Sequence, residues 1–192
     1  MNNVSIYGES APFLLKSRDI VLREFVLEDL DEFCDITAQL HIREFLPDWY
    51  VDKETRRLWL SHYEIPDNRE FLAAAARNGQ IEDRILRLAV IERSTGHFIG
   101  WCCTGTKDEL PQPNREIVYG ISAFQRGKGY MTQAVQTLSE WLFAHTDTQI
   151  VHGLARPDNI ASNLVLQKCG FESLGDTKLE DGVHRHYVRK KL

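Results

Sequence analysis

The chain has no run of about 18 apolar residues, so no stretch of it is expected to cross a membrane as a helix. It has no excess of positive charge either. Its 23 Lys and Arg stand against 28 Asp and Glu, a net charge of -5, which offers no basic field to a nucleic-acid backbone. The four cysteines, Cys34, Cys102, Cys103 and Cys169, form no CxxC pair and keep no regular spacing. A disulfide framework is therefore not expected, whereas reduced thiols in a cytoplasmic protein are. The opening residues, Met1-Asn2-Asn3-Val4-Ser5, lack a charged segment followed by an apolar one, so no signal peptide is expected. Internal repeats, low-complexity tracts and Pro/Gly/Ser linkers are missing too.

What is present is an ordinary globular composition, 43% hydrophobic and 27% charged over 192 residues. That length suits one domain with a core of its own, spanning 1–192, with residues 1–17 expected as a loosely held extension. Ile20 to Phe25 reads as a first strand. Leu30, Phe33, Cys34, Thr37 and Leu40 recur near helical spacing, and Pro47 ends that stretch. Arg56 to Tyr63 suits a second helix closed by Pro66, with Leu58, Trp59 and Tyr63 on its apolar side. Phe71 to Ala76 fits helix or strand.

Leu86, Leu88 and Val90 alternate with less apolar neighbours, and Ser94-Thr95-Gly96 turns them into Phe98 to Cys103, a hairpin. A polar loop, Thr106 to Asn114, precedes a strand from Glu116 to Ser122. Met131, Ala134, Val135, Leu138, Trp141 and Leu142 then lie on one face of a 3.6-residue period. Ile150 to Ala155 is a strand, Asp158-Asn159 opens a short helix ending at Gly170, and Phe171–Leu174 with Val183–Val188 form a last hairpin around Asp181-Gly182. The order implies a mixed α/β fold, antiparallel in front, with a strand-helix-strand unit behind.

Two local patterns carry chemistry. Arg126-Gly127-Lys128-Gly129-Tyr130-Met131 joins a strand to a helix, and the first turn of that helix has unpaired N–H groups at the positive end of its dipole. Glycines let the backbone approach an anion closely, so a phosphate fits there. A Gly-Lys-Gly turn is also an ordinary helix start, and the spacing is neither GxGxxG nor a P-loop. About 30 residues on, Asn159-Ile160-Ala161-Ser162 opens a helix that Lys168-Cys169-Gly170-Phe171 closes. Asn and Ser at such a place are also capping residues.

In this order and on these elements, the two patterns resemble the GNAT superfamily of acetyl-CoA-dependent N-acetyltransferases, and within it the Rim-type ribosomal-protein N-terminal acetyltransferases. The likeness is strong over residues 116–174 and extends in topology from residue 20. Met131 departs from the family's glycine or alanine at the end of the first motif. The resemblance implies a mostly antiparallel sheet with helices on both faces, splayed around a CoA site. Ile121 and Ala123 would lie along the pantetheine arm, the pyrophosphate would rest on Arg126, Gly127, Lys128, Gly129, Tyr130, Met131 and Thr132, and Asn159 with Ser162 would flank the arm. The implied co-substrate is acetyl-CoA, with no metal.

Acyl transfer to an amine requires a neutral amine and support for the oxyanion and the departing thiolate. Glu116, at the start of the strand leading into the glycine turn, is the candidate base, acting through a water. Many members of the superfamily use a tyrosine four residues before the Gly-Phe glycine as general acid. Here that position is Leu166, which turns attention to Ser162 as the second catalytic candidate. His184 and His186 share a strand face but the sequence places no third metal ligand. Cys102 and Cys103 fall on opposite strand faces, as packing residues. Trp49, Tyr50 and Trp59 suit a substrate lid or a core equally.

The reading is therefore an enzyme that acetylates a primary amine, a protein N-terminus or a small molecule, by direct attack in a ternary complex. A non-catalytic module that senses acyl-CoA, or an interaction protein reusing the fold, are the alternatives. Neither a nucleic-acid nor a membrane partner is expected, and the oligomeric state is open between monomer and homodimer.

Overall fold

The computed structural model describes residues 12–192. Eight strands make one sheet in the spatial order 1-2-3-4-5-6-8-7. They are β1 (Leu14–Lys16), β2 (Ile20–Glu24), β3 (Leu86–Glu92), β4 (Phe98–Thr106), β5 (Arg115–Ile121), β6 (Ile150–Ala155), β7 (Glu172–Leu179) and β8 (Gly182–Lys190). Every neighbouring pair is antiparallel except β5 and β6, which run parallel. The helices are α1 (Leu30–Thr37), α2 (Leu40–Phe45), α3 (Lys53–Trp59), α4 (Ile65–Asn78), α5 (Tyr130–His145) and α6 (Ile160–Lys168).

Strand alternation divides the apolar residues between two cores. On one face Leu22, Leu88, Cys102 and Ile117 pack against Phe71 of α4, Leu138 of α5 and Leu166 of α6. On the other, Ala89, Trp101 and Cys103 pack against Phe33 of α1 and Ile42 of α2. The periodic face of α5 is buried as its spacing predicts, from Met131 to Leu142. Phe71 and Leu72 settle the ambiguous stretch as helix. Burying such a side chain contributes about 1.5–3 kcal/mol, well above the few tenths that separate most helix propensities.

Three expectations are corrected. Residues 12–17 are not a loose extension: β1 pairs with β2, Leu15 opposite Leu22, and Phe13 packs edge-on against Trp141 at 5.1 Å. The remainder of that expected extension, 1–11, lies outside the described residues. The first helix does not reach Leu40, because Gln39 is extended (φ -66°, ψ 139°) and Leu40, 82% exposed, opens a separate helix. Pro66 does not close a helix either. A π turn over Leu60–Glu64 carries α3 directly into α4, where Pro66 occupies the first turn and its missing N–H costs no bond. Leu58 and Tyr63 are consequently exposed, while Arg56 and Leu60 are buried.

Arg56 fixes part of the future site wall. Its guanidinium pairs with Glu64 at 2.9 Å, lies 4.5 Å over the Phe33 ring and donates to the Trp49 carbonyl at 2.6 Å. Burial pushes the Glu64 carboxyl up and the Arg56 guanidinium down from their usual ranges. Desolvation offsets much of the attraction in such a pair, so its effect is to hold Trp49 in place rather than to add net stability.

Candidate active site

The parallel neighbours β5 and β6 share a single register pair, Glu116 with His152. On its other edge β5 is paired to β4 along its whole length, from Arg115 opposite Thr106 to Ile121 opposite Gly100. Beyond Glu116 the two parallel strands therefore diverge, and their facing edges lack ladder partners. A cavity of about 460 Å³ occupies this slot. Buried backbone groups need partners, so the unpaired edges make the slot a place for a ligand that carries its own amides.

At the wide end of the slot stands the glycine turn. Gly127 and Gly129 have φ of +76° and +77°, and nothing lies within 4 Å of a Cβ built on either. No side chain caps α5, whose first intrahelical bond runs from Gln133 N–H to the Gly129 carbonyl at 3.1 Å. The amides of Tyr130, Met131 and Thr132 are thus without helical acceptors, and all three residues line the cavity. Paired left-handed glycines ahead of a helix N-terminus form an anion nest, and a pyrophosphate has the charge and reach to fill it. Met131 does not obstruct the nest, because its side chain is buried in the core.

The narrow end holds Glu116. Its carboxylate faces the cavity with no hydrogen-bond partner among the described residues. Burial pushes this carboxyl up to about 7; Lys107 pulls it down, and Asp181 and Glu109 push it further up. A group poised there can exchange protons near neutral pH. Around it the cavity is walled by Phe45, Leu46 and Trp49 on one side and by Leu179, Asp181 and His184 on the other.

Tyr119, three residues along β5 from Glu116, points to the opposite sheet face. Its hydroxyl lies 2.8 Å from Ser162 Oγ and 3.1 Å from the Ser162 carbonyl on α6. Asn159 caps α6 by accepting from Ser162 N–H at 3.1 Å, and it lines the cavity as well. Leu166 is fully buried and packs against Gly153.

The chain matches the acetyltransferase (GNAT) domain over residues 19–172, most of its length. The chain belongs to the GNAT acetyltransferase family. Among solved structures, a GNAT acetyltransferase from Bacillus anthracis superposes with a TM-score of 0.75 at 15% identity, covering 93% of this chain and 99% of that one. A ribosomal-protein-S5-alanine acetyltransferase from Vibrio fischeri gives 0.70 at 16%, covering 93% and 96%. The aminoglycoside acetyltransferase AAC(6')-Ib in complex with coenzyme A gives 0.66 at 20%, covering 90% and 95%. These likenesses show the fold.

Most of the residues singled out in this GNAT chain meet in the one cavity: Glu116, Ile121, Arg126, Gly127, Gly129, Tyr130, Met131, Thr132, Asn159 and Ser162 all line it. Two do not. The Ala123 amide is already taken by Gln39 Oε1 at 2.8 Å, and Lys128 folds over Gln125 and the Tyr130 ring. Sequence reasoning also missed His41, whose Nε2 bonds the Ile121 carbonyl at 3.0 Å from α2.

Of the three aromatic candidates, Trp49 lines the cavity and also stacks on Trp101 at 4.9 Å. The two histidines of β8 diverge: His186 stacks on His152, with the ring nitrogens 2.7 Å apart, while His184 borders the cavity. Among the described residues no three His, Cys, Asp or Glu side chains cluster as metal ligands, and no helix is long and apolar enough to cross a membrane. Burial pushes the Cys103 thiol up to about 12, which keeps it unreactive.

Proposed function

We propose that this enzyme transfers an acetyl group from acetyl-CoA to a primary amine by direct attack within a ternary complex, with Glu116 as the base. The observation that carries the reading is the single cavity that joins an anion nest at Gly127–Thr132 to a carboxyl held near 7. Acetyl-CoA fits by its parts. Its pyrophosphate matches the free amides of α5, and its pantetheine amides match the unpaired edge of β5. The thioester would then lie between Ser162 and Glu116. Coenzyme A bound to the aminoglycoside acetyltransferase supports this choice.

An amine is an ammonium ion at neutral pH, and only its neutral form has the lone pair that attacks. Glu116, directly or through one water, takes that proton. The amine nitrogen then bonds the thioester carbonyl carbon, the C–S bond breaks and its electron pair leaves with sulfur, while the second proton that the nitrogen sheds on becoming an amide passes to solvent. A carboxyl tuned for proton exchange in the cavity favours turnover over a module that only senses acyl-CoA. The ribosomal-protein and aminoglycoside acetyltransferases are similarly close in fold, so protein N-termini and amino sugars both belong in the acceptor panel.

Acetyl-CoA is expected to raise the melting temperature, because a ligand bound only by the folded state stabilises it by mass action. At 100 times Kd the gain is about 2.7 kcal/mol, or roughly 5–10 °C for a chain of this size. A flat melting curve at about 1 mM ligand, the upper end of common KM values, would count against the reading. Release of free thiol across peptides, amino sugars and polyamines would then identify the acceptor.

A further inference from the structure

Building on this transfer reading, we propose that Tyr119 is a positioning residue that turns the Ser162 hydroxyl hydrogen toward the sulfur of the departing thiol. Tyr119 and Ser162 both line the slot, one on β5 and the other on α6, and their 2.8 Å contact joins these two elements. Burial pushes the Tyr119 phenol far above its ordinary value, against the pull of its bond to Ser162. The phenol stays protonated, and of the two acceptors within its reach, Ser162 Oγ at 2.8 Å and the Ser162 carbonyl at 3.1 Å, the nearer Oγ takes its hydrogen. A serine hydroxyl near a helix start commonly spends its hydrogen on a backbone carbonyl of its own turn. Ser162 Oγ makes no such bond among the described residues and meets only Tyr119. With the Tyr119 O–H donating to Oγ, the one hydrogen of Ser162 is free to point into the cavity.

The chemistry needs no proton from either hydroxyl. As the C–S bond breaks, its electron pair develops into a thiolate, which the Ser162 O–H stabilises by a hydrogen bond. Solvent protonates the thiolate after release, and the proton of the amine leaves through Glu116. Leu166, buried against Gly153, offers no competing donor from α6.

The test compares acetyl-CoA with its selenoester analogue, whose more acidic selenol leaves with less help. Tyr119→Phe is expected to lower kcat for acetyl-CoA roughly three- to tenfold, the worth of one hydrogen bond. CoA affinity by calorimetry should stay within about twofold, the low end of that range. With the selenoester the loss should shrink, and Tyr119→Phe should add nothing to Ser162→Ala, since coupled residues are non-additive. Equal losses with both donors, additivity, or a loss confined to CoA affinity would overturn the assignment. Should Tyr119→Phe fail to fold, Ser162→Ala alone decides: an unchanged ratio of selenoester to thioester rates overturns it. No thiol release by the wild-type protein with any amine would sink the transfer reading and this one with it.

Discussion

Turnover in Glu116→Gln is expected to fall by about 10²- to 10⁴-fold, the usual contribution of a general base, while CoA affinity stays nearly constant. Glutamine keeps the shape of the side chain and removes its proton affinity. The pH profile separates this from a packing effect. In the wild-type enzyme kcat/KM should rise with pH as Glu116, held at about 7 by burial, loses its proton. In the variant that step should vanish, and raising the pH should restore part of the rate by supplying neutral amine from solution. A Gln variant that works within about threefold of wild type, far short of a base's contribution, would make Glu116 a structural carboxylate.

The same substitution should stabilise the fold at alkaline pH. The Glu116 carboxyl is raised from 4.5 to about 7 in the native state, so the native state binds the proton more tightly than the unfolded chain. Ionisation therefore costs native stability as pH climbs through the interval between those values, and the cost is complete above about 7. At 1.36 kcal/mol per unit the ceiling is about 3 kcal/mol, and water in the cavity screens part of it. Glu116→Gln should melt higher than wild type at pH 8 and equally at pH 4. A carboxylate kept at a cost to stability is what a functional site produces.

Local physics made much of the site legible. The glycines at 127 and 129 announce backbone that only glycine adopts easily, and the apolar period from Met131 to Leu142 follows at once. Both signals sit within 16 consecutive residues, so no tertiary information is needed. The slot itself is different in kind. It exists because β5 and β6 keep one register pair and then part, a relation between strands 29 or more residues apart that no local pattern encodes. For the same reason nothing in the sequence singles out Tyr119, which α6 brings against Ser162. Ala123 and Lys128 come from the resemblance alone, and Gln39 and Gln125 already engage them. A proline inside a helical pattern suggests a stop, but the π turn over Leu60–Glu64, which carries no sequence signature, places Pro66 in the first turn of α4.

CoA binding in Gly129→Val is expected to weaken by about 10- to 100-fold for each charge-assisted hydrogen bond the pyrophosphate loses. A Cβ on Gly129 would meet no protein atom within 4 Å, and Gly129 lines the cavity, so the added side chain is expected to crowd the ligand rather than the protein. The backbone imposes a separate penalty. At φ +77° an L-residue is strained by about 1–2 kcal/mol, and a β-branched one suffers most. That strain acts on the folded protein with or without ligand and by itself leaves affinity unchanged. Gly170 provides the control: its φ is +76° with nothing within 4 Å, and it ends α6 away from the cavity. Gly170→Val should therefore lower the melting temperature by a similar amount while CoA affinity, measured by calorimetry, stays at the wild-type value. If both variants melt lower and both keep full affinity, the amides of Tyr130 to Thr132 do not hold the pyrophosphate. The anion nest would then be only the start of a helix.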